Sequence, residues 1–279
     1  MAAAAARARA WHRRRGTGLS QSPLLEIDAV AIRFGGIRAL CGVSFTVGAG
    51  QICGLIGPNG SGKTTMLNCI SGLYRPGEGD IRLSGRSLRG VARHHIAARG
   101  IGRTFQNVAL FGSMTVRDNM LAGAHHLGRS GFVANALRLP GARREEEAAR
   151  QRLESLLDLL DLRAVADIAV SALPFGTRKR VEMARALIGH PRLLLLDEPA
   201  CGLNHAEIDN LAGLIHCIRD RLDTSILLIE HHMSLVMRVS DKVVALELGR
   251  MIADGPPAQV QNDPDVIRAY LGEPVHAPA

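Results

Sequence analysis

Three short runs in the chain are apolar almost throughout and then stop abruptly. "QICGLI" ends in a cluster of glycines. "LLLLDEP", from Leu193 to Pro199, ends in two carboxylates and a proline, and "SILLIEHH", from Ser225 to His232, ends in Glu230 and His231. Runs this apolar are unsuited to half exposure, so they read as strands of a parallel sheet covered on both faces. Elsewhere the pattern changes period. "REEEAARQRLESLLDLLDL" places Ala149, Leu153, Leu156, Leu157 and Leu160 on one helical face with charges opposite, which predicts an appended helical lobe. "DKVVALELGRMIADGPP" alternates as a strand and hairpin, and "PDVIRAYLGE" reads as a short terminal helix with an exposed end. The stretch "HHLGRSGFVANALRLPGAR", from His125 to Arg143, mixes glycine, basic and apolar residues and reads as an insertion or loop.

Composition narrows the picture. With 279 residues, 47% of them hydrophobic, the chain can bury a sizeable core in one domain with a lobe attached. Arg7, Arg9, Arg13, Arg14 and Arg15 supply much of the net charge of +8, and no acid precedes Glu26. The rest is nearly balanced, so no nucleic-acid footprint is implied. The Ala/Arg-rich segment 1–22 is expected to be a disordered basic tail; its composition resembles a transit peptide, but a mis-assigned start or a solvated tail is the preferred reading. No run approaches the roughly 20 apolar residues of a membrane span, so the chain reads as soluble or peripheral. Its five cysteines are scattered and never in Cys-x-x-Cys spacing, which suggests neither a disulfide framework nor zinc and fits a reducing cytoplasm. The pairs His94-His95 and His125-His126 lack metal-ligand context.

The glycine cluster carries the chemistry. In "GPNGSGKTT", Gly57 to Thr65, a strand turns into a helix, "KTTMLNCISGL". A glycine-rich turn can point successive N–H groups inward, and the first helical turn adds unpaired N–H groups and a positive dipole end. Such a place binds phosphate. Gly57, Gly60 and Gly62 permit the unusual backbone angles, Lys63 can reach the β- and γ-phosphates, and the Thr64 hydroxyl can coordinate Mg2+. Pro58, Asn59, Ser61 and Thr65 complete the loop. In open α/β sheets ligands sit beyond the carboxyl ends of the strands. Asp197, Glu198 and His231 are therefore expected to converge on phosphates held by Lys63.

Taken in order, these motifs resemble those of an ABC-type ATPase subunit from about Leu24 to Gly272. "GPNGSGKT" resembles Walker A, "TFQN" the Q-loop with Gln106, and "LPFGTRKRVEMARAL" the family signature with its helix. "LLLLDEP" resembles Walker B, "ACGLN" the D-loop and "IEHH" the switch-histidine loop. The resemblance implies an α/β fold: a P-loop NTPase (RecA-like) core with a mostly parallel sheet, an antiparallel β subdomain and an inserted α-helical subdomain. On that pattern the ATPase domain is 23–279, with a nucleotide-binding core at 23–106 and 179–279 and a helical lobe at 107–178. It also implies two cassettes facing each other, each phosphate loop closed by the partner's signature segment. Asp197 would then hold Mg2+ through water, Glu198 would be the general base, His231 would contact the γ-phosphate, and Gln106 would sense metal and water. Phe34 in "IRFGG" stands where the family stacks an aromatic on adenine. The implied ligands are ATP and Mg2+. The implied partners are membrane-spanning permease subunits, a second ATPase subunit (a copy or a paralogue) and, indirectly, a substrate-binding protein, with the chain peripheral on the cytoplasmic face of the inner membrane.

The departures carry information. The family's usual Leu-Ser-Gly-Gly-Gln is here Leu173-Pro174-Phe175-Gly176-Thr177, so the serine hydroxyl is missing, although N–H groups from Gly176 onward can still face a phosphate. Asn204 replaces the usual D-loop aspartate. Both changes, and the run "GIGRTFQNVALFGSMTVRDNM", resemble the ATPases of branched-chain and hydrophobic amino acid importers. Export of lipid or polysaccharide is the closer competitor within transport, and a non-transport ABC ATPase is the alternative outside it. Val108, Leu110, Phe111 and Met114 are expected to form, in part, an exposed apolar groove that receives a short helix of the partner.

Overall fold

The computed structural model describes residues 23–105, 109–124 and 140–271. The basic tail, Gln106, Val108 and most of the stretch from His125 to Arg143 lie outside the described residues. In chain order the strands are β1 (Leu25–Phe34), β2 (Ile37–Val47), β3 (Ile52–Ile56), β4 (Glu78–Leu83), β5 (Arg86–Ser87), β6 (Ile101–Arg103), β7 (Leu193–Asp197), β8 (Ser225–Ile229), β9 (Lys242–Glu247) and β10 (Arg250–Gly255). The α-helices are α1 (Lys63–Ile70), α2 (Val116–Gly123), α3 (Pro140–Leu159), α4 (Phe175–Leu187), α5 (His205–Leu222), α6 (Met233–Val239), α7 (Pro257–Gln261) and α8 (Pro264–Leu271).

Strands β3, β6, β7, β8 and β9 pair in parallel, and β10 adds an antiparallel edge, in the order β10-β9-β3-β8-β7-β6. Every residue of β3, β7 and β8 is buried, as their unbroken apolar runs require. The alternation of side chains assigns the two faces. Leu194, Leu196, Ile226 and Leu228 join a core built with α3, α4 and α5, while Leu193, Leu195, Leu227 and Ile229 meet Leu55, Met66 and Leu67 on the other side. Each buried leucine or isoleucine contributes about 1.5–3 kcal/mol of hydrophobic stabilisation, so the ends of these strands are held firmly. Gly54 shows how tightly: a Cβ there would stand 2.6 Å from Val236 of α6.

The second sheet is antiparallel, in the order β2-β1-β4-β5. Helix α3 buries Leu153, Leu156 and Leu157, with Leu160 just after it, and leaves Ala149 partly covered. Its lobe thus shares one continuous core with the parallel sheet. The hairpin β9–β10 forms as its alternation predicts. The terminal helix α8 is not simply exposed, because Val266 is buried against Ile56, Val243 and Ala245.

Candidate active site

Strand register explains why the site assembles. Ile229, the last residue of β8, is level with Asp197 on β7 and with Leu55 on β3. The residues that follow each strand therefore emerge side by side: the phosphate loop after β3, Glu198 after β7, and Glu230 and His231 after β8.

At the phosphate loop, Gly57 has φ 145°, and a Cβ there would lie 2.1 Å from the Leu246 carbonyl oxygen, so no other residue fits. Gly62, at φ 104°, leads into α1. Lys63 is buried and its ammonium donates to the carbonyls of Gly57 at 2.7 Å and Pro58 at 2.9 Å. Burial lowers its pKa, an effect opposed by the nearby charges of Glu198 and Asp197. Asn59, Gly60 and Thr64 are exposed, Pro58, Gly62 and Thr65 are half-buried, and Ser61 is buried with its hydroxyl oxygen unpartnered. Orphaned polar atoms and open amides at the start of a helix are what an incoming anion would satisfy.

The carboxylates come next. Glu198 has φ 49°, a left-handed conformation that costs a non-glycine residue about 1–3 kcal/mol, and its N–H donates to the Ile229 carbonyl at 2.9 Å. The turn aims its side chain at His231, whose Nε2 lies 2.9 Å from Oε1. Asp197 is buried. Burial raises its pKa, against the opposing pull of Arg103, whose guanidinium donates to Oδ2 at 3.1 Å. Its Oδ1 has no hydrogen-bond partner.

Sequence reasoning missed two residues. Arg103, at the end of β6, donates to Asn68 Oδ1 and Ser71 Oγ, both at 2.7 Å, and so ties α1 and the loop after it to the carboxylate that ends β7. An arginine closing a buried strand just before the Q-loop was the available signal. Glu230 is buried, and its carboxylate accepts the backbone N–H groups of Ala200 at 2.6 Å, His231 at 3.0 Å and His232 at 3.3 Å. It locks the turn bearing Glu198 to the turn bearing His231. The parallel between "LLLLDEP" and "LLIEHH" hinted at it.

Phe34 ends β1 at 44% exposure and forms a T-shaped pair with Tyr74, the ring centroids 5.0 Å apart. Pro174 precedes α4, and Phe175 at the helix start is 40% exposed. Gly176 and Thr177 line a cavity of about 550 Å3 with Pro174, Leu203, Glu207 and Leu211, among others, none from the phosphate loop. Asn204 caps α5: its Oδ1 accepts the Glu207 N–H at 3.0 Å, and the Glu207 carboxylate accepts the Asn204 N–H at 2.9 Å. Gln106 lies outside the described residues, whereas Phe105 and Ala109 on either side of that gap are described. Glu182 on α4 accepts the Phe105 N–H at 2.9 Å, and Arg185 donates to the Ala109 carbonyl at 2.6 Å. The signature helix therefore holds both flanks of the Q-loop.

The comparisons agree with this geometry. Residues 40–201 match the ABC transporter family, and 250–276 match the family described as branched-chain amino acid ATP-binding cassette transporter. The chain is 43% identical, over 90% of its length and 98% of theirs, to the high-affinity branched-chain amino acid transport ATP-binding proteins BraF of Pseudomonas aeruginosa and LivG of Escherichia coli. It is 32% identical over a similar span to the lipopolysaccharide export system ATP-binding protein LptB of Haemophilus influenzae. A crystal structure of a nucleotide-free ATP-binding cassette from an ABC transporter superposes with a TM-score of 0.78 at 29% identity, covering 90% of this chain and all of that one. Strand ends that bring a phosphate loop, two carboxylates and a histidine together, and relatives matched nearly end to end, lead to one conclusion: the chain belongs to the ABC transporter family as an ATP-binding, ATP-hydrolysing subunit.

Proposed function

We propose that this ATPase powers a membrane importer of branched-chain or other hydrophobic amino acids. The observation that carries this reading is the likeness to BraF and LivG over 90% of the chain, joined to the contact between His231 and Glu198 beside the phosphate loop. Likeness to the lipopolysaccharide exporter subunit is weaker, at 32%.

In this reading Lys63 and the loop amides grip the β- and γ-phosphates, and Phe34 takes the adenine. Glu198 accepts a proton from the attacking water while His231 orients the carboxylate and faces the γ-phosphate. A Mg2+ ion suits the residues present, because Asp197 Oδ1 is buried without a partner and the Thr64 hydroxyl stands at the open start of α1. Those two, with Gln106, would hold it, and when bound it would neutralise charge on the transferring phosphoryl group. The start of α4, at exposed Phe175 and half-buried Gly176 and Thr177, has no phosphate loop of its own chain lining its cavity, so we assign it to the nucleotide of a second cassette, with Asn204 facing the same seam.

Coupling to the membrane subunits is assigned to a cavity of about 320 Å3 lined by Phe105, Phe111, Gly123, Arg185 and Pro191, among others. Phe111 is 54% exposed there, whereas Leu110 packs partly into the lobe's core and Val108 lies outside the described residues. Cytoplasmic, inner-membrane placement follows from these partners.

The test is reconstitution with candidate permease subunits and a binding protein. Leucine uptake that requires ATP and is lost in Phe111→Asp, with ATPase of the isolated chain intact, supports the proposal. ATP-dependent lipid export, or transport indifferent to Phe111→Asp, overturns the corresponding part.

A further inference from the structure

Helix α8 lies far along the chain from the phosphate loop, yet its Tyr270 hydroxyl accepts the Gly57 N–H at 2.7 Å. Helical spacing accounts for the contact. Val266 and Tyr270 are four residues apart and share a face, and Val266 is buried against Ile56, the residue immediately before Gly57. Tyr270 keeps 39% of its surface exposed while its hydroxyl reaches Gly57, and Ile267, on another face, is 44% exposed.

Gly57 is the pivot of the loop. Its amide is taken by Tyr270, its carbonyl by Lys63 at 2.7 Å, and its Cα packs against the Leu246 carbonyl. Pro58 follows and has no amide proton, so Gly57 carries the loop's last N–H before Asn59. A nucleotide that draws the Lys63 ammonium toward its phosphates takes away the hold on the Gly57 carbonyl. The bond from Tyr270 does not depend on the lysine and keeps the loop's entry angle fixed during that exchange. Partial burial pushes the phenol pKa up to about 12, and the hydroxyl is neutral at physiological pH, as an ordinary phenol would be.

We infer that the C-terminal helix is a brace for nucleotide binding and that Tyr270 is a positioning residue, holding the phosphate loop in its binding shape through the Gly57 amide. This rests on Gly57 to Thr65 being the nucleotide loop and is independent of the transported substrate.

The experiment titrates a fluorescent ATP analogue into the full chain, Tyr270→Phe and Ile267→Ala, and measures steady-state ATPase for each. The phenylalanine keeps the ring and removes only the hydroxyl. We expect about three- to tenfold weaker binding and a matching rise in KM for Tyr270→Phe, the usual worth of one neutral hydrogen bond, with kcat within about twofold. Ile267→Ala should bind as the parent does. Equal affinities for Tyr270→Phe and the parent, or a fall in kcat at unchanged KM, overturn the inference. Failure of the parent to bind the analogue refutes the nucleotide-loop reading instead. Should Tyr270→Phe be insoluble, amide exchange in the parent decides: a Gly57 N–H protected at least about tenfold more than that of Asn59 supports the brace, and equal rates reject it.

Discussion

The phosphate loop and the signature segment both place backbone N–H groups at the start of a helix, but their surroundings differ. The loop before α1 has Glu198 and His231 beside it, because β3, β7 and β8 end at the same level and release Lys63, Glu198 and His231 into one space. The start of α4 faces a cavity formed with α5 and the loop before it, lined by Pro199 beside Glu198 but by no residue of the phosphate loop. Both are anion-binding ends by their physics, yet only the first is entered through the glycine-rich loop. Under the proposed function, the difference teaches that a helix terminus can be half of a site, with a second cassette supplying the other half.

The sharpest test of the contrast removes the base from the complete side. Glu198→Gln should keep ATP binding and lose hydrolysis by about 10²- to 10⁴-fold, measured as phosphate release against nucleotide affinity; turnover within threefold of the parent would remove Glu198 from its role. Arg103→Ala should come next. It leaves Asp197 buried and unpaired at a cost of about 3–5 kcal/mol, a drop in melting temperature of roughly 10 °C, while Arg103→Lys recovers only part because an ammonium cannot bridge α1 and β7 as a guanidinium does. An unchanged melting curve for Arg103→Ala would show that the pair does not hold the site together.

How far the sequence foretold this contrast varies by element. The apolar runs of β3, β7 and β8 were legible because total burial leaves no polar alternative, and the face of α3 was legible from Leu153, Leu156, Leu157 and Leu160. Register was not. Nothing local says that Ile229 lies opposite Asp197, so Glu230 was quoted within a motif without its role as the clamp between two turns. Arg103 escaped for the same reason, since its partners Asn68, Ser71 and Asp197 are brought to it only by the sheet. Tyr270 reads from the sequence as part of an exposed end, because its contact with Gly57 joins residues 213 positions apart.

Smaller effects refine the picture. Glu230→Gln keeps the shape but loses the anion that three backbone amides share, so kcat should fall by roughly ten- to a hundredfold with little change in KM, as a modest displacement of Glu198 and His231 would produce. A shift confined to KM would mean that the clamp serves binding instead.

The smallest effect concerns Glu182, which links the signature helix to the Q-loop. Burial raises its pKa above the ordinary value of 4.5, although the Phe105 N–H opposes the shift. The folded state therefore holds the proton more tightly than the unfolded state, and this contribution to stability weakens as pH rises from about 4.5 through the folded value. Glu182→Gln should flatten that slope in denaturant titrations across pH, and an identical slope in both proteins would contradict the assignment.

The claim that matters most is that two chains complete each site. Sedimentation of Glu198→Gln at micromolar concentration, with and without ATP and Mg2+, tests it directly. The account predicts a monomer without nucleotide, a dimer with ATP, and loss of that dimer when Phe175→Asp places a negative charge at the start of α4. A protein that binds ATP stoichiometrically yet stays monomeric, or a dimer indifferent to Phe175→Asp, would contradict it.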